Sequence, residues 1–146
     1  MTKPTHIYEA YIHCSADAAW NALVDGDQTV QYFYGTRVES EWTPGSPVRY
    51  LSPGGDVVAD GEIISVDSPK RLEMMFHPRW DPELEAEGPV RTVWLVEEAD
   101  ELTRVCVEYY DLDPAGKTYA EFVAGAPFIV SGMKTMLETG KPFTAT

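Results

Sequence analysis

Hydrophobic and polar positions alternate with a period of two from the start of the chain. In THIYEAYIHCS (5–15), Tyr8, Ala10, Ile12 and Cys14 fall on one side, and Ile7, Glu9, Tyr11 and His13 on the other. This predicts a strand that buries the first set, because Glu9 and His13 belong to the second. Ser15 follows as an N-cap with Asp17 in the first turn, and Ala16, Ala19, Trp20, Leu23 and Val24 share one helical face. Asp25-Gly26-Asp27 closes that helix and opens a shorter one that ends near Phe33.

From Gly35 to Tyr110 the period remains two. Val38, Ser40 and Trp42 alternate with Arg37, Glu39 and Glu41; Val48 and Tyr50 lie on the next strand, and Leu72, Met74 and Phe76 share a face further on. TPGSP (43–47), SPGGD (52–56), DSPK (67–70) and ADE (99–101) are the turns, and Gly61 marks a bulge. PRWDPELEAEGP (78–89) reads as a long acidic loop that could serve as a lid, and VRTVWLVEE and LTRVCVEYY as the last two strands.

The period then lengthens. Ile129, Val130, Met133, Met136 and Leu137 span about 120° of a helical wheel, with Lys134, Thr135 and Glu138 opposite. Pro127 suits a first helical turn, with KTYAEFVAGA as a helical turn or two leading into it, and Gly140 with Pro142 is a stop. The order is strand, two short helices, six antiparallel strands and a long C-terminal helix. Burying these faces together calls for an α+β fold, a curved antiparallel sheet of about seven strands wrapped around the last helix.

Length and charge narrow the function. A chain of 146 residues implies one domain, residues 1–146. A net charge of -13 repels phosphate backbones and anionic bilayers, so neither nucleic acid nor membrane is an expected partner. Cys14 and Cys106 fall on opposite sheet faces, which argues against a disulfide between them. With no apolar leader or 18-residue apolar run, the expectation is a soluble, reduced, cytoplasmic protein.

Five stretches carry a family likeness. CSADAAWNALVD (14–25), QYFYG (31–35), GEIISVDSPKRLEMMF (61–76), LTRVCV (102–107) and GAPFIVSGMKTMLETGKP (125–142) occur in the order seen in the START-like (SRPBCC) helix-grip superfamily. Within it the chain resembles the AHSA-type family, named for the activator of the heat-shock-protein-90 ATPase. The resemblance implies the helix-grip fold and a binding cleft between sheet and helix. It leaves open ligand carriage, polyketide cyclisation, resistance to reactive natural products and co-chaperone work. Two positions depart from the family pattern: its Trp in Gly-Trp-Pro is Ala126, and a late-strand His is Tyr109.

Candidate chemistry is sparse. His6, His13 and His77 are far apart in sequence, and no metal-ligand spacing or nucleophile elbow appears, so neither metal nor cofactor is expected. Glu108, Asp111 and Asp113 read as solvated surface. What remains is an inward set of rings and sulfurs: Trp42, Tyr50, Met74, Phe76, Trp94 and Tyr109 from the sheet, with Met133 and Met136 answering from the helix. Most of such a set is core. Buried Tyr and Trp need partners for their polar atoms, however, and methionines make adaptable walls.

The set therefore doubles as a candidate ligand site, with Phe33, Tyr34, Trp80 and Phe128 at its mouth and room left by Ala126 and Gly132. The leading expectation is binding of a small apolar or aromatic molecule without covalent chemistry. Alternatives are a cyclase- or dehydratase-like enzyme using Tyr109, His77 or Tyr50, and a chaperone-linked stress-response module. The outward apolar set Val93, Leu95, Cys106 and Tyr110 makes a second copy of the chain a candidate partner.

Overall fold

A computed structural model of the protein describes residues 3–142. Its elements are β1 (His6–Ile12), α1 (Ala16–Val24), α2 (Gly26–Tyr32), β2 (Arg37–Ser40), β3 (Pro47–Leu51), β4 (Val57–Asp67), β5 (Arg71–Pro78), α3 (Pro82–Glu87), β6 (Val90–Ala99), β7 (Leu102–Tyr110) and α4 (Lys117–Thr139). The strands form one antiparallel curved sheet in the order β1-β7-β6-β5-β4-β3-β2, with α4 along its inner face.

Local chemistry accounts for most boundaries. Ser15 caps α1 by accepting from the Ala18 amide at 3.1 Å, and Asp25 caps α2 through the Asp27 amide. Gly140 ends α4 in the left-handed region at φ 77°, where glycine carries no steric cost. The inward residues of each strand follow the period of two, so Ile12, Val48, Ile63, Leu72, Val96, Val105 and Val107 form the packed layer beneath the helices.

Four expectations need correction. The stretch read as a mobile acidic loop contains a helix, α3. Asp81 caps it, Pro82 starts it, and Leu84 is fully buried beneath it. Pro127 sits inside α4, not in its first turn, because the helix begins ten residues earlier; proline's missing N–H removes only the bond to the Val123 carbonyl.

Gly61 pairs in register with Val48 and Phe76, and the two shifts in β4 fall at Val58, against β3, and between Ile63 and Ser65, against β5. A Cβ at Gly61 would lie 1.7 Å from the Met75 carbonyl oxygen, so glycine permits a close strand approach there. The extra residue, Ile64, keeps both Ile63 and Val66 inward. Trp42 lies beyond the end of β2 with φ 58°, half-buried at the edge of the core.

On the outer face, Val93 and Cys106 are fully buried although they point away from α4. Charged and aromatic side chains cover them. Arg91 donates to Glu73 at 2.6 Å and lies 4.4 Å from the centre of the Tyr110 ring, whose hydroxyl donates to Glu108 at 2.8 Å. Burial pushes the Glu73 carboxyl up, but hydrogen bonds from Arg91 and Arg71 outweigh that and leave it lowered. The apolar atoms expected to await a second copy are therefore largely roofed within the chain.

Candidate functional site

Strand register decides which inner-face side chains meet. Met74, Thr92 and Tyr109 lie in one cross-strand row, and Leu72, Trp94 and Val107 in the next. Phe76 stands further along β5, and Tyr50 on β3, across β4 from it. Between this face and the N-terminal half of α4 lies a cavity of about 390 Å³. Tyr50, Phe76, Thr92, Trp94 and Tyr109 form its floor, and Phe122, Ala126 and Ile129 of α4 its roof. Phe33, Tyr34 and Thr36 follow α2 to the mouth, which Trp80 and Glu121 complete.

The rings brace one another. Phe33 stacks on Tyr50 at 4.8 Å between centroids, and Tyr50 meets Phe76 edge-on at 5.2 Å. Phe122 receives Phe76 at 5.8 Å and Tyr109 at 5.0 Å, both edge-to-face, while Trp80 stacks on it at 6.4 Å. Such pairs contribute about 0.5–1.5 kcal/mol each beyond their burial, which resists collapse of the space between them.

Most polar atoms in the wall are already occupied. The Thr36 hydroxyl donates to the Phe33 carbonyl at 2.7 Å, the Thr92 hydroxyl to Val90 at 3.1 Å, and the Tyr50 hydroxyl reaches the Met74 sulfur at 3.9 Å. Among the described residues, the Tyr109 hydroxyl and the Trp94 indole N–H have no hydrogen-bond partner, and both rings line the cavity. Burial raises the Tyr109 and Tyr50 hydroxyls above the usual phenol range, with Tyr50 adding to the effect on Tyr109. Both are protonated donors at neutral pH.

Of the predicted residues, Tyr50, Phe76, Trp94 and Tyr109 line this cavity, together with Phe33, Tyr34 and Trp80 at the mouth. Trp42, Met74, Phe128, Met133 and Met136 do not. Met74 is packed behind Tyr50, and Met133 and Met136 close the opposite end of the sheet–helix interface. Phe128 is 52% exposed and lies outside the lining. Gly132 does not open the cavity either, since its missing Cβ admits Tyr32 of α2 at 3.2 Å. Ala126 does line it.

Sequence reasoning missed Phe122, Thr92 and Glu121. Phe122 was detectable, because Phe122, Ala126, Ile129, Met133 and Met136 run at spacings of four and three along a single stripe.

The acid–base arrangement that a cyclase needs is poorly served by the lining. His77 points to the outer face, its Nε2 2.9 Å from the Glu85 carbonyl. Glu121, at the mouth, is the only carboxylate among the described lining residues. Among the described residues no cluster of His, Cys, Asp or Glu suits a metal ion, and no helix is long and apolar enough to cross a membrane.

A seven-stranded antiparallel sheet closed over one long C-terminal helix, with a cavity held between them, is the architecture of the helix-grip proteins. Within that class the chain belongs to the family described as Activator of Hsp90 ATPase homolog 1-like protein, whose pattern matches residues 13–138. Among solved structures it is similar to DynU16, a protein of the dynemicin biosynthetic locus, with 22% identity and a TM-score of 0.75. That match covers 93% of this chain but 48% of DynU16.

The Aha1 dimer from Colwellia psychrerythraea matches at 14% identity and TM-score 0.74, covering 92% of this chain and 96% of that one. An HSP90 activator from Plasmodium falciparum matches at 11% and 0.74, with the same coverages. At these identities the likeness is one of fold. No curated protein matches the chain in sequence.

Proposed function

We propose that the protein binds a small, mostly apolar or aromatic molecule in the sheet–helix cavity and performs no covalent chemistry on it. The observation that carries this reading is a ring-braced space where, among the described residues, the Tyr109 hydroxyl and the Trp94 indole N–H are the inner polar atoms without a partner, with the Glu121 carboxylate at the mouth. A guest that fills it would gain apolar contact on every side and two fixed donors for orientation. Cytoplasmic residence is part of the same reading, with Cys14 and Cys106 both free thiols.

The test is ligand-dependent melting with a neutral probe, naphthalene-methanol. A ligand at 100 times its Kd adds about 2.7 kcal/mol of stability and raises Tm accordingly. Ala126→Trp, which places an indole in the roof, should abolish the shift in a protein that still melts cooperatively. A shift of undiminished size in that variant would place binding elsewhere and sink the proposal.

A second reading is favoured by the family's own description and by the likeness to the Plasmodium falciparum activator. In it the chain acts on a chaperone during stress with no need of a guest, and stimulation of purified Hsp90 ATPase is the deciding assay. The Aha1 dimer among the relatives keeps a second copy of the chain as a proposed partner, to be decided by sedimentation. A cyclase-like activity ranks below both, since the cavity's one carboxylate stands at its mouth.

A further inference from the structure

Size and charge of the cavity narrow its guest. A dry cavity of about 150 Å³ accepts one benzene, so 390 Å³ accommodates about two to three fused rings. That is too little for a two-chain lipid. The walls offer ring faces and edges, which suit a flat aromatic guest stacked against Trp80 and Phe122.

Charge is the sharper filter. Among the described lining residues none is Lys, Arg or His, and the one acidic side chain is Glu121. The nearest cation on its helix is Lys117, one turn away. Its ammonium is held by Asp81 at 2.6 Å, with Glu83 at 4.0 Å, and attracts Glu121 only at longer range, without an ion pair between them. The Tyr34 ring stands across the mouth, its hydroxyl 3.5 Å from the Gly125 carbonyl one turn along α4. A cationic group entering here meets the Glu121 carboxylate and the aromatic rings of Tyr34, Trp80 and Phe122 that line the same site. An anionic group meets the same carboxylate, no compensating cation, and a chain with a net charge of -13.

We infer that the cavity selects neutral or cationic planar aromatic molecules and rejects their carboxylates, with Glu121 as the selecting group. This rests on the proposed binding function, and the test separates the two. Three probes share one ring system: naphthalene-methylamine (a cation at neutral pH), naphthalene-methanol and naphthoate. Their affinities are measured by titration calorimetry at low salt. The cation should bind about five- to tenfold tighter than the alcohol, and naphthoate about tenfold weaker than the alcohol.

In Glu121→Gln the cation-to-alcohol ratio should fall about threefold or more, whereas Glu101→Gln, remote from the cavity, should leave the ratio where it was. Naphthoate binding as tightly as the alcohol, or a ratio unmoved by Glu121→Gln, overturns the selectivity and leaves the binding function standing. If the alcohol itself fails to bind, the binding function falls and the selectivity with it.

Discussion

The two halves of α4 face the same sheet and do opposite things. Its C-terminal half drives Val130 and Met133 into complete burial and is strapped to β1, where Lys134 donates to the Tyr11 carbonyl at 2.7 Å and Glu138 accepts from the His13 amide at 2.8 Å. Its N-terminal half presents Phe122, Ala126 and Ile129 to open space. The difference lies in what stands opposite. Long, flexible Met133 and Met136 fill irregular gaps, whereas the rigid rings of Phe33, Tyr50, Phe76, Tyr109 and Phe122 stack or meet edge-on and hold one another apart, leaving space between them. A grip can therefore be solid at one end and hollow at the other, and the methionines mark the solid end.

The largest expected effect breaks the solid end. Met133→Ala removes a fully buried side chain from a packed site and should cost about 2–5 kcal/mol, read from urea unfolding. If the loss were below about 1 kcal/mol, the C-terminal half would be hollow too. Next comes enlargement at each end. Gly132→Leu drives atoms into Tyr32 and should cost about 1–3 kcal/mol. Ala126→Trp, entering open space, should cost about 1 kcal/mol or less. Equal costs would erase the contrast between the two halves.

Much of this was legible in the sequence, for physical reasons. A period of two assigns strand faces directly, so the inward positions of Tyr50, Phe76, Trp94 and Tyr109 followed from their neighbours. Distance along α4 was not legible, because the wheel gives a direction and not a depth. Met133 and Phe122 share one stripe, yet only the sheet's register places one over packed side chains and the other over a cavity.

Pro127 also misled, since as a first-turn residue it made residues 117–126 a separate helical lead-in and kept Phe122 off the stripe of the main helix. Trp42 failed differently: a positive φ beyond the end of β2 breaks the alternation that had pointed it inward. The acidic stretch concealed α3 because Asp81-Pro82 signals a turn as readily as a helix start.

The smallest expected effect sharpens the hollow end, where α3 holds the start of α4. Gly116, the N-cap of α4, makes no side-chain cap bond; Glu87 takes that role from α3, accepting from the Thr118 amide at 2.8 Å and the Lys117 amide at 3.0 Å. Lys117 in turn donates to Asp81 at the other end of α3. Hydrogen bonds from Thr118 and Lys117 hold the Glu87 carboxyl below its usual range, and Lys117 with the Glu83 amide does the same for Asp81.

Both folded values are depressed, so the clamp contributes fully above the unfolded pKa of about 4 and is lost as pH falls through the folded values. Acidification below about pH 4 should accordingly lower the hydrogen-exchange protection factors of the first turn of α4, measured against intrinsic exchange at the same pH. Glu87→Gln should show faster exchange there already at pH 6 and a flatter response to acid, with exchange near Met133 unchanged. Acid responses of the same size in both proteins would mean that Glu87 is not the clamp. Trp80 immediately precedes the Asp81 cap, so whatever loosens α3 also loosens one side of the cavity mouth, while the end sealed by the methionines stays shut.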